Sequence, residues 1–163
     1  MASIVFTTAS GTTTVTAEDG SGNQAVSIPR TSTLVGTDVA NTFTANQTFD
    51  NGIIEEYTAV TSSSNATTCN LNDGNNFSHT LTENTTFTFS NPAASGKVSS
   101  FTLKIVQDAS ASGYTVTWPA AVDWAAATAP TLTATADAVD YFVFITHDEG
   151  TTWYGFTAGQ AMG

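Results

Sequence analysis

Basic side chains are nearly missing from this sequence. Arg30, Lys97 and Lys104 are the only three, against 14 acidic residues, and the formal net charge is −11. Nucleic-acid binding needs Lys and Arg to displace counterions from phosphates, so no nucleic-acid partner is expected. An anionic membrane surface is disfavoured for the same reason, and no membrane partner is expected. Cysteine occurs once, at Cys69, which excludes an intrachain disulfide framework and leaves a small buried or half-buried residue. No basic segment followed by an apolar one opens the chain, so no secretory leader is expected. No run of about 20 apolar residues offers a spanning helix. Asn-x-Ser/Thr triplets begin at Asn65, Asn76 and Asn84. Without a secretory route they are what an Asn/Thr-rich chain produces by chance.

What replaces the missing charge is Thr, Ser, Asn and Ala. Charged residues make up 10% of the chain, well below the ~25% usual in soluble domains. The 40% apolar content nevertheless separates it from disordered chains. Thr favours strands and helix formers are sparse, so the composition reads all-β. The 163 residues suffice for one ordinary domain, or for a small domain with an appended arm.

The core is expected between Lys97 and Phe156, where all three tryptophans lie. Phe101, Leu103 and Ile105 alternate with Thr102 and Lys104, the period of a half-buried strand. Asp140–Thr146 and Thr151–Phe156 read as a hairpin around the turn His147-Asp-Glu-Gly150. Within it, Phe142 and Phe144 face one way while Tyr141, Val143 and Ile145 face the other. A strand apolar on both faces is expected to be buried on both, one face meeting a neighbouring subunit. Further strands are expected at Ile53–Val60, Ala66–Leu71, Phe77–Leu81 and Thr85–Phe89, separated by Gly/Asn/Ser turns. That spacing predicts a sandwich or barrel of seven to nine strands. Before it, Ser3–Thr8, Thr12–Ala17, Ala25–Ile28 and Thr33–Val35 read as short strands with too little apolar surface to fold alone. They are expected to lean on a partner. Phe43 and Phe49, six apart in an extended stretch, point the same way and join Phe142 and Phe144 as expected subunit-interface residues.

Residues able to do chemistry are few and badly spaced for it. His147 with Asp148 and Glu149 superficially suggests a metal or acid/base cluster, but adjacent residues cannot converge on one ion, and a polar turn is required there. Glu55 and Glu56 neighbour each other on an extended segment and point apart, a poor acid/base pair. Asp19 and Asp73 lie in Gly/Asn loops that lack the spaced acidic pattern of a calcium loop. No Gly-x-Ser-x-Gly, Cys–His pairing or phosphate-cradling loop occurs. No catalytic residue, metal or cofactor is expected, and the protein is expected not to be an enzyme. Trp118, Trp124 and Trp153 would suit a sugar-stacking platform, but core packing is the commoner use.

Several phrases carry a family resemblance. Phe101-Thr-Leu-Lys-Ile, Thr115-Val-Thr-Trp-Pro119, Val122-Asp-Trp124, Ala129-Pro-Thr-Leu-Thr133 and Gly150-Thr-Thr-Trp-Tyr-Gly155 resemble a C-terminal β module of head-decoration, neck-fibre and tail-fibre proteins of tailed bacteriophages. Ala40–Phe49 looks like the linker preceding such modules. Ser10–Thr16, Val26–Pro29 and Thr33–Gly36 are similar to the small β segment that begins many of them. The resemblance implies a structural, usually trimeric virion protein, made in the host cytoplasm and displayed on the particle exterior. The expected layout is an N-terminal β arm (1–36) docking to major capsid, neck or tail proteins, a stalk (37–52), and a jelly-roll-like β-sandwich knob (53–163). Ile4, Phe6, Val26 and Ile28 are the expected docking side chains, acting by strand addition. With some 36 residues before the linker and no shaft, a homotrimeric decoration or cement protein or short head fibre fits better than a tail or neck fibre tip binding a host-surface glycan. A free carbohydrate-binding module is the remaining alternative.

Overall fold

A computed structural model describes residues 3–8, 11–16, 43 and 46–162. The chain divides into two units, Met1–Phe49 and Asp50–Gly163. In the first, β1 (Ser3–Thr8) and β2 (Gly11–Thr16) form an antiparallel hairpin with Ser3 opposite Thr16. The expected strands at Ala25–Ile28 and Thr33–Val35 lie outside the described residues, as do Val26 and Ile28 themselves.

The second unit is all-β. Its nine strands are β3 (Thr58–Ala59), β4 (Ala66–Asn70), β5 (Asn76–Thr80), β6 (Thr85–Ser90), β7 (Ser99–Val106), β8 (Val116–Thr117), β9 (Val122–Trp124), β10 (Val139–Thr146) and β11 (Trp153–Met162). They form two layers, a six-stranded sheet in the order β3-β5-β7-β10-β11-β9 and a three-stranded sheet β4-β6-β8. From β3 to β8 successive strands alternate between the sheets. Hence β3, β5 and β7 pair in parallel in one layer, and β4, β6 and β8 in the other. The chain then turns antiparallel through β7, β10 and β11, and β9 adds to β11 in parallel. The connectivity is therefore a coil followed by a hairpin, unlike the antiparallel pairing of a jelly roll.

Turn chemistry explains the coil. Ser64 and Asn65 take positive φ (55° and 63°) before β4, and Asn91 does so (55°) after β6, the conformation that Asn tolerates best among non-glycine residues. The Asn91 amide donates to Asn70 Oδ1 at 2.8 Å, and that oxygen also accepts from the Asn72 backbone at 3.1 Å. One side chain thus joins the ends of adjacent parallel strands.

Aromatic rings fill the space between the layers. Phe101 lies 5.0 Å from Phe144, 5.4 Å from Trp153 and 4.8 Å from Phe89, centroid to centroid. Trp118 from the smaller sheet's side packs 5.0 Å from Phe142 and 5.2 Å from Trp124. Each buried ring contributes about 1.5–3 kcal/mol by removal from water, with roughly 0.5–1.5 kcal/mol more for a well-oriented aromatic pair.

Two expectations change here. Phe142 and Phe144 are both 0% exposed, held by Trp118, Trp124 and Phe101 of their own chain, so neither has surface left for a neighbouring subunit. The opposite face of β10 is not covered: Tyr141 is 37% exposed, and Val143 and Ile145 are half-buried. Likewise the strand expected over Ile53–Val60 shrinks to Thr58–Ala59. The residues before it run outside the sheet, with Ile54 97% exposed.

Candidate functional site

Strand alternation sends one face of the six-stranded sheet into the core and leaves the other uncovered by the second unit. On this outer face the register aligns side chains in rows. Lys104 sits between Ser78 and Tyr141, and Thr102 between Asn76 and Val143, which is followed by Phe156; Ile145 lies opposite Tyr154. The face therefore has two halves. Over β10 and β11 it is apolar, built from Val143, Ile145, Tyr154 (46% exposed) and Phe156 (53%). Over β5 and β7 it is polar.

The polar half forms the floor of a groove of about 760 Å³, walled by Glu55 and Tyr57 of the segment entering β3 and by Tyr141 of β10. A side-chain chain crosses it. Thr102 Oγ1 donates to Asn76 Oδ1 at 2.7 Å, and Asn76 Nδ2 donates to Glu55 Oε2 at 3.1 Å. This places Asn76 with its amide oriented and holds the Glu55 carboxylate beside the sheet. Glu55 and Lys104 are the charged residues of the lining. The sequence offered no signal for this site, because its walls come from positions 55–57, 76–80, 102–106 and 141, brought together only by the parallel coil and by the pairing of β10 with β7.

Other titratable side chains of the second unit serve the scaffold. His79 is buried, its Nδ1 donating to the Val60 carbonyl at 2.9 Å, its ring edge-on to Phe87 at 5.4 Å. Asp148 organises the turn between β10 and β11. It accepts from the Thr152 backbone and the Thr146 hydroxyl, both at 2.9 Å, while Thr146 Oγ1 accepts from the Gly150 amide at 3.0 Å. The Thr152 amide, aided by Thr146, holds the Asp148 carboxyl below its usual range. Asp108 anchors the loop after β7 in a similar way. Desolvation raises its pKa, but hydrogen bonds from the Ser112 hydroxyl and the Ser112 and Ser110 amides outweigh that and leave it lowered.

Asp140 is a buried carboxylate without a basic neighbour in its hydrogen-bond set. It accepts from the Thr133 amide at 2.7 Å, the Thr133 hydroxyl at 2.8 Å and the Ala161 amide at 3.0 Å. It thereby clamps the Pro130–Thr133 segment to the end of β11. Sequence reading missed it, since an isolated Asp opening an apolar strand looks like a boundary. Glu56 is exposed, and Asp73 lies in a short 3₁₀ turn capped by Asn70. Asp19 is outside the described residues. Among the described residues no group of three or more His, Cys, Asp or Glu converges as a metal site. Trp124 and Trp153 are buried and Trp118 is half-buried within the aromatic core, so none forms an exposed platform. Of the expected interface and docking residues, Phe43 (55%) and Phe49 (67%) are exposed. Ile4 and Phe6 fall on β1; their side chains lie outside the described set.

Comparisons with protein-family models, with curated proteins and with solved structures found no match to this chain.

Proposed function

We propose that this chain is a structural protein of a tailed-bacteriophage virion, a homotrimeric capsid decoration or cement protein or short head fibre. The observation that carries the self-association part is the apolar half of the outer face. Tyr154 and Phe156 are each about half exposed beside Val143 and Ile145, and an aromatic side chain offers ~150–250 Å². Elsewhere on the second unit, Ile53 (69% exposed) and Ile54 (97%) are further exposed apolar side chains, on the segment before β3. Contiguous apolar surface beyond a few hundred Å² marks an interaction surface, and identical copies are the simplest occupants. The interface thus moves from Phe142 and Phe144 to the side chains that alternate with them.

What supports the virion assignment is the resemblance of the quoted phrases to decoration and fibre modules, the all-β second unit and the acidic, Lys-poor composition, which limits non-specific adhesion to anionic bodies. The test is mass and copy number. Light scattering at micromolar concentration should give three times the 16.9 kDa chain, and purified particles should hold the chain in hundreds of copies. A 16.9 kDa monomer, or particles without the chain, would remove the reading.

A further inference from the structure

The polar half of the outer face has a different character from the apolar half. We infer that the groove between the Glu55–Tyr57 segment and strands β5, β7 and β10 is a binding site for a short neutral oligosaccharide.

Four features of the groove point to that ligand class. Its volume of about 760 Å³ lies within the ~300–1,000 Å³ of small-ligand sites and is open along the sheet. Its walls carry two exposed phenol rings, Tyr57 (70%) and Tyr141 (37%), and the apolar C–H face of a pyranose stacks on such rings while their hydroxyls stay wet. Between them stand side chains of every hydrogen-bonding type a sugar hydroxyl can use: the Glu55 acceptor, the Asn76 amide, the Thr102 and Ser78 hydroxyls and the Lys104 ammonium. Three of these are already linked, by the Thr102-to-Asn76 and Asn76-to-Glu55 hydrogen bonds of 2.7 and 3.1 Å, which lowers the ordering cost of binding.

Charge selects among sugars. One carboxylate and one ammonium line the groove, in a chain of net charge −11, so a sulfated or polysialylated ligand gains one attractive contact against a repulsive field. The hydroxyls of a neutral sugar can accept from Lys104 and donate to Glu55. A peptide is a poorer occupant. On the floor, strand β7 is paired on both sides, so a peptide lying along it finds no main-chain partner on that strand.

This inference does not depend on the virion reading, and its test separates the two. Labelled full-length protein would be applied to an array of neutral and acidic oligosaccharides, and the strongest neutral ligand titrated by calorimetry. The expected result is binding to at least one neutral oligosaccharide. Tyr57→Ala and Lys104→Met should each weaken it tenfold or more, and Tyr57→Trp should keep it. The oligomeric mass should be the same in all variants, since neither residue belongs to the apolar half. Absence of neutral-glycan binding, binding confined to acidic glycans, or affinity unchanged in both Tyr57→Ala and Lys104→Met would overturn the inference. A monomeric mass with glycan binding intact would instead count against the trimer alone.

Discussion

At the scale of single residues, close packing decides which side chains can be changed. Gly155 pairs with Trp124 across β11 and β9, and a Cβ built on it would lie 2.9 Å from two atoms of the indole ring. A rigid ring wedged among Phe142, Phe144 and Trp118 cannot retreat. Gly155→Ala is therefore expected to destabilise by about 1–3 kcal/mol, the usual range for overpacking, read as a lower urea midpoint with unchanged slope. An unchanged midpoint would mean that Trp124 has room to move. Cys69 is governed by desolvation instead. It is 0% exposed, and burial pushes its thiol up to about 12 from 9.0. It should stay unmodified by a thiol reagent at pH 8 in the native state and react on unfolding. The pH effect has a definite sign. The unfolded thiol ionises near 9 while the folded one does not until about 12, so stability is kept below pH 9 and lost as pH rises between those values. The slope from this group is at most about 1.4 kcal/mol per pH unit. Replacing Cys69 with Ala should remove that alkaline component.

At the scale of elements, β10 shows how one strand serves two roles. Its even-numbered positions Phe142 and Phe144 complete the aromatic core, and its odd-numbered positions Tyr141, Val143 and Ile145 lie on the outer face. Phe142→Asp is accordingly expected to unfold the second unit, because a buried unpaired carboxylate costs several kcal/mol. Phe156→Asp, on the outer face, should keep the fold and split the assembly. Circular dichroism and light scattering on both variants check this. A folded monomer from Phe142→Asp, or an unfolded chain from Phe156→Asp, would invert the assignment of faces. The hairpin's sharp return depends on Glu149 and Gly150, with φ of 59° and 78°, and on the hydrogen bonds from Thr146 to Asp148 and from the Gly150 amide to Thr146 that hold the loop closed.

For the whole molecule, the two units pose different energetic problems. The second has a continuous core from Cys69 to Trp153. For the first, the described strands make a two-stranded hairpin, an arrangement marginal in water without further packing. We propose that residues 1–36 find that packing on a capsid or neck protein, with the backbone edges supplying the affinity. Deleting residues 1–36 should leave a soluble second unit of unchanged β-sheet signal that no longer binds particles lacking the protein. Wild-type decoration by the truncated chain would assign docking to residues 37–163.

Much of the scaffold was legible in the order of residues. Thr-rich alternation, Asn/Gly turns and the 101–105 and 141–145 patterns determine strands, because side-chain period and turn geometry are local properties of the chain. The acidic balance likewise sets which charged partners are disfavoured, whatever the fold. Tertiary structure alone decided three things. It chose parallel pairing for β3 to β8, since register between strands whose paired residues are 19 to 31 positions apart depends on how the coil closes. It buried Phe142 and Phe144 rather than Tyr141, because alternation says that two faces differ but not which one meets the second sheet. And it assembled the groove, where Glu55, Asn76, Lys104 and Tyr141 share no sequence neighbourhood and meet only because adjacent strands in a sheet stand about 4.8 Å apart.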